Sequence, residues 1–228
     1  MQTAQRDTRS RLLDVLVPML VFGSVWGLSE VALGGGLKAA GFPYRSGLLT
    51  GIGMGIIGAA MALYRRPLMG AGIGLVAALV SLMAVPLLHV SVLCRANSCL
   101  AVFIEGSSLG LIAAAVASRT SGNVYLRMGT GAAAALAASA AFYAVGGHVA
   151  PCAYFASFGS TGSFVVKEGM IWAAFAAILF PLGYLVGEQL RVKAQRAIVQ
   201  RAASYYGLAA TISSLAVGGS ALAILAGL

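Results

Sequence analysis

Long apolar runs, each about the 20 residues that cross a bilayer as a helix, are the feature that most constrains this chain. They are parted only by short polar breaks. Of 228 residues, 15 are Lys or Arg and 6 are Asp or Glu, which is 9% charged. Soluble domains carry about 25%. Hydrocarbon offers no partner to a peptide group, so a spanning segment must satisfy its own backbone. Uninterrupted apolar runs of this length do so as helices. The expected fold is therefore all-α, a polytopic membrane helix bundle of six to seven transmembrane helices. A soluble enzyme, a disordered chain and a nucleic-acid-binding domain are excluded. The net charge of +9 is spread between apolar runs and is no nucleic-acid footprint.

The breaks place seven spans at about 12–33, 47–64, 68–88, 99–118, 128–147, 163–187 and 203–227. Residues 1–228 then form a single integral membrane domain. Tyr64-Arg65-Arg66-Pro67 reads as a tight charged hairpin, and 119–127 as a polar turn. The basic stretch 187–204 reads as a helix along the membrane surface, since Arg191, Lys193, Arg196 and Arg201 are costly in hydrocarbon. The first apolar run is too long for a signal-peptide core and lacks a small-residue cleavage site. It reads as a retained first span.

Charge by side gives an orientation. With the N-terminus in the cytoplasm, Arg6, Arg9, Arg11, Arg65, Arg66, Arg119, Arg127, Arg191, Lys193, Arg196 and Arg201 fall inside. Only Lys38, Arg45, Arg95 and Lys167 fall outside. That distribution obeys the positive-inside rule. It predicts the inner (cytoplasmic) membrane of a cell, with the N-terminus cytoplasmic. Three outer connections follow: 34–46, 89–98 and 148–162. The first is rich in Gly and holds a Pro, as suits a loop folded over the bundle.

The scarce polar residues gather on that outer side. An ionisable residue within a span is costly and marks a functional hypothesis. Glu30 closes the first span, Glu105 lies within the fourth, and Lys167 and Glu168 open the sixth. With Arg45, His89, Asn97 and His148 they form the candidate substrate-binding set. His89, Cys94, Cys99, His148 and Cys152 offer nitrogen and sulfur donors suited to zinc, nickel, cobalt or copper. Their spacing matches no structural-zinc pattern. A bound transition metal, a disulfide between two of the cysteines and free thiols all stay open. No catalytic residues are assigned, and no other cofactor is called for.

Small residues repeat at helical spacing. Gly23 and Gly27 do so on the first span, Gly51, Gly55 and Gly58 on the second, and Gly70 and Gly74 on the third. Such faces let helix backbones approach in lipid. Most suit packing within the bundle; one could instead dock a separate membrane subunit.

In this layout the chain resembles the substrate-binding S component of an energy-coupling factor transporter. The resemblance covers about residues 10–187 and rests on small size, basic charge and Gly- and Ala-rich spans. It implies capture of a micronutrient or metal near the outer face, under the loop after span one. It implies as partners a transmembrane coupling subunit, met through Gly23 and Gly27, and separate ATPases. No GxxxxGK[ST] phosphate loop occurs in this chain. Three competing readings remain: an intramembrane enzyme pairing Ser107 or Ser108 with His148, a thiol-redox protein using Cys94 and Cys99, and an assembly subunit that binds no ligand.

Overall fold

In the computed structural model the backbone is described for residues 2–89, 92–116, 123–149, 151 and 153–228. Side chains are described for 13–89, 95–116, 123–149, 151, 154–196 and 200–228. Among these residues the chain is helical and contains no strand. Helix α1 (Gln2–Leu28) continues through a π-helical turn, Ser29–Leu33, into α2 (Gly34–Ala39). There follow α3 (Arg45–Tyr64), α4 (Met69–Leu82), α5 (Ala84–Leu88), α6 (Val92–Val116), α7 (Val124–Val149), α8 (Ala153–Ala156) and α9 (Thr161–Phe164). A second π-helical turn, Val165–Gly169, leads into α10 (Met170–Gln200), and α11 (Ala202–Leu225) ends the fold. Seven of the resulting helical segments are long and apolar enough to cross a membrane. The chain is an all-α polytopic bundle.

Several boundaries differ from those expected of the sequence: α6 begins at Val92 within the expected connection 89–98, and α7 at Val124 within the expected turn 119–127. The stretch from Gly34 was expected to be a loop over the bundle, but Gly34–Ala39 extends the first span as helix. Only 40–44 remain as the turn, with Gly41 in the left-handed region at φ 64°. Three adjacent glycines carry no Cβ to hydrate or pack, and helix hydrogen bonds still satisfy their backbone in lipid. The basic stretch 187–200 continues α10 without a break.

The packing inverts the soluble pattern. Leucines such as Leu20, Leu79, Leu111, Leu182, Leu215 and Leu222 lie on the outside, at least half exposed. Glycine, alanine and aromatic residues fill the inside. Lipid gives leucine no reason to hide, so close backbone approach and dispersion decide the interior. Helix α3 packs along α10, where a methyl on Gly51 would come within 2.8 Å of Leu179 and Phe175. Helices α4 and α6 cross glycine on glycine: a methyl on Gly70 would lie 2.7 Å from the Gly106 carbonyl oxygen.

Gly23 and Gly27 face inward. A methyl on Gly23 would lie 2.5 Å from Val76 Cβ, and one on Gly27 2.6 Å from Val80 Cβ. This corrects their assignment to partner docking, because α4 already occupies the stripe. Helix α11 runs parallel beside α1, so that α1 meets it in rising order, Leu28 at Gly219 and Gly35 at Leu228. Tyr205 meets Tyr64 through their hydroxyls at 3.0 Å.

Candidate functional site

One end of the bundle gathers the end of α1, the starts of α3, α6 and α10, and the last third of α7. Local sequence explains how each side chain is aimed. Glu30 sits in the first π-helical turn, a distortion that recurs at functional sites because one extra residue rotates the rest of the helix about its axis. Trp26, one turn earlier and fully buried, donates from Nε1 to Glu30 Oε1 at 3.0 Å. The indole lies against Gly53 of α3, where a Cβ would clash with the Cε2, Nε1 and Cζ2 atoms of the ring. Glycine at 53 thus seats the tryptophan that orients the carboxylate.

Glu105 is placed by its neighbour. Gly106 faces α4, and a methyl there would come within 2.5 Å of the Gly70 carbonyl oxygen. With that face of α6 fixed, Glu105, one residue or about 100° away, turns toward α3. There the Thr50 hydroxyl lies 2.9 Å from Glu105 Oε1 and 3.0 Å from the Ser46 carbonyl oxygen. Its single proton serves one acceptor at a time. Glu105 is buried at 4% exposure, and its Oε2 has no hydrogen-bond partner among the described residues.

These groups line a cavity of about 270 Å³. Glu30, Arg45, Thr50, Asn97 and Glu105 supply polar atoms; Phe142, Tyr154 and Trp172 supply aromatic surface. Arg45 is within electrostatic reach of Glu30, and Glu30 of Glu105. Trp172 is buried at 3% exposure, and its Nε1 has no hydrogen-bond partner among the described residues. Two residues that line one cavity therefore carry an unmet donor and an unmet acceptor among the described residues. Behind Phe142 and Trp172, whose centroids are 5.9 Å apart, Phe164 is fully buried, tilted against Phe142 and edge-to-face with Trp172. Tyr143, Phe155 and Phe158 extend that cluster.

Four of the eight substrate-binding residues read from sequence line the cavity: Glu30, Arg45, Asn97 and Glu105. Glu168, in the second π-helical turn, reaches its rim indirectly, accepting from Ser46 Oγ at 2.9 Å. Lys167 is exposed beside it. His89 and His148 are exposed, and His148 Nδ1 lies 2.7 Å from the carbonyl oxygen of Ala144 on its own helix. Of the candidate metal ligands, the Cys94 side chain and Cys152 lie outside the described residues. Cys99 is a buried free thiol 3.5 Å from the Ala78 carbonyl oxygen. Among the described residues no three of His, Cys, Asp and Glu converge on a metal position. Ser107 donates to Phe103 of its own helix at 2.8 Å, as His148 turns to its own, so neither is directed at the other.

Sequence reasoning missed Thr50 and Trp172. A hydroxyl within an apolar span was a usable signal for Thr50. Trp172 read as bundle packing, and nothing in its neighbours marks its N–H as unmet.

The opposite end carries a different arrangement. Arg127, buried on α7, meets Glu188 of α10 through both nitrogens, Nη1 at 3.2 Å and Nη2 at 3.3 Å. Its guanidinium stacks 4.1 Å over Tyr184. Arg65 approaches the same carboxylate at 3.9 Å. This network ties α7 to α10 and lines no part of the first cavity.

No family model, curated protein or solved structure matches the chain.

Proposed function

We propose that this chain is the ligand-capturing component of a membrane uptake system, holding a small molecule in the cavity beside Glu105. One observation carries the reading: Glu105 and Trp172 line the same cavity, and each carries a buried polar atom, Oε2 and Nε1, without a hydrogen-bond partner among the described residues. A buried polar group left unpaired costs about 1–3 kcal/mol. Two such groups at one concavity are the expected signature of a site completed by a ligand. The reading keeps the transporter-like layout, with the cavity on the extracytoplasmic side because most cations lie at the other end. Inward release would be driven by a separate coupling subunit and ATPases. The surface that meets the coupling subunit is not the Gly23 and Gly27 stripe.

The test is native mass spectrometry of the full chain purified from its own membrane. We expect a small-molecule adduct on the wild-type protein, lost in Glu105→Ala and retained in His148→Ala. An adduct that persists in Glu105→Ala, or a wild-type chain with none, defeats the reading.

A further inference from the structure

We infer that the cavity selects a small organic cation, held by a protonated nitrogen on Glu105 against aromatic walls. This rests on reading the cavity as a binding site, and it adds the chemical class of the ligand.

The charge inventory comes first. Among the described lining residues the ionisable side chains are Glu30, Glu105 and Arg45, so acids outnumber cations. Glu30 is served from within the protein, by the Trp26 N–H and by Arg45 nearby. Among the described residues Glu105 has only the Thr50 hydroxyl, whose proton is shared with the Ser46 carbonyl. The unmet demand at this site is therefore for a donor on Glu105. An N–H on a cation meets it best, because charge-assisted hydrogen bonds are about twice as strong as neutral ones.

The walls agree with that choice. Phe142, Tyr154 and Trp172 bring aromatic surface to the same volume. A cation on such a face is attracted by the ring's electron density, most strongly when both are desolvated. An anion would meet the negative ring faces and two carboxylates instead. A bare metal ion fits poorly. Trp172 Nε1 can only donate, and the two carboxylates have no third His, Cys or acidic partner among the described residues. Size adds a limit: about 270 Å³ falls below the roughly 300–1,000 Å³ of pockets for drug-sized ligands. One ring with a charged substituent is of the right scale. The orphaned Trp172 N–H asks for an acceptor elsewhere on the physiological ligand.

A ring series of constant shape tests the charge. The full chain in nanodiscs is titrated with benzamidine, benzamide, benzoate and Co²⁺, reading intrinsic tryptophan fluorescence and thermal unfolding. Benzamidine is expected to bind saturably and raise the unfolding temperature, with benzoate and Co²⁺ giving neither effect. Glu105→Gln keeps the shape and the Thr50 contact, and is expected to weaken benzamidine by about tenfold or more. Trp172→Phe is expected to change benzamidine affinity by only about twofold, since that probe has no acceptor for the lost N–H. Benzoate or Co²⁺ binding as tightly as benzamidine overturns the inference, as does benzamidine binding that Glu105→Gln leaves unchanged. If no probe binds while a co-purified molecule still disappears in Glu105→Ala, the cation class falls and the binding site stands. If neither is seen, both fall.

Discussion

Replacing Gly53 by alanine tests how the Glu30 side of the cavity is built. The added methyl would clash with the Trp26 indole, far within the 3.5–4.0 Å of a comfortable carbon contact. The indole is fully buried, so it has no open space to retreat into. Overpacking of this kind costs about 1–3 kcal/mol, and the absence of any slack argues for the upper end. If the ring moves, the bond from Trp26 Nε1 to Glu30 Oε1 at 3.0 Å goes with it, for about another 1.5–3 kcal/mol. Against this, alanine is the better helix former by about 1 kcal/mol. The balance is a destabilisation of about 2 kcal/mol if the bond to Glu30 survives and up to about 5 kcal/mol if it is lost. The assay is thermal and denaturant unfolding in detergent, with tryptophan emission read on the folded protein. Gly129→Ala on α7 is the control, because nothing stands within 4 Å of the added methyl; it should be neutral or stabilising by up to about 1 kcal/mol. The double-mutant cycle with Trp26→Phe decides the cause. The smaller ring leaves room, so the two substitutions should couple by about 1 kcal/mol or more. Additivity within about 0.5 kcal/mol, or a Gly53→Ala protein as stable as wild type, refutes the packing argument.

Three further outcomes rest on the same geometry. Thr50→Val removes the one hydroxyl on Glu105 and should lower stability by about 1–3 kcal/mol, measured by thermal unfolding of the isolated chain. Gly23→Ala should destabilise the isolated chain by about 1–3 kcal/mol through Val76; an isolated chain that tolerates it, while losing association with a partner subunit, restores the docking role for that stripe. Glu188→Ala strips both carboxylate oxygens from Arg127 and should cost about 1.5–3 kcal/mol in the same unfolding assay, with Glu188→Gln milder because one acceptor remains.

The candidate site was legible in part. Glu30 and Glu105 stood out because carboxylates are expensive in a span, and both line the cavity. His89 and His148 stood out for the same chemical reason, yet they lie exposed at helix ends. Rarity marks a residue as worth attention without saying which way it points. Thr50 and Trp172 carried no such mark, and their roles come from what packs around them. The loop expected over the bundle from Gly34 failed for a related reason. Glycine breaks helices in water by leaving the backbone to compete with solvent, and in lipid that competitor is missing.

The sequence by itself determined the number and order of the spans, the all-α class and the partition of charge between the two ends. Those properties come from lipid as solvent: an apolar run of that length has no alternative to a helix, and a cation has no place along its middle. The tertiary structure alone decided the rotation of each helix about its axis. In spans apolar on every side, no periodic pattern states which face turns inward. Glycine contacts set it instead, Gly106 on Gly70 and Gly53 under Trp26, and a single extra residue in the π-helical turn at Ser29–Leu33 resets it for α2. A rotation of one residue, about 100°, would have pointed Glu105 away from Thr50 and left no cavity with two unmet polar atoms to fill.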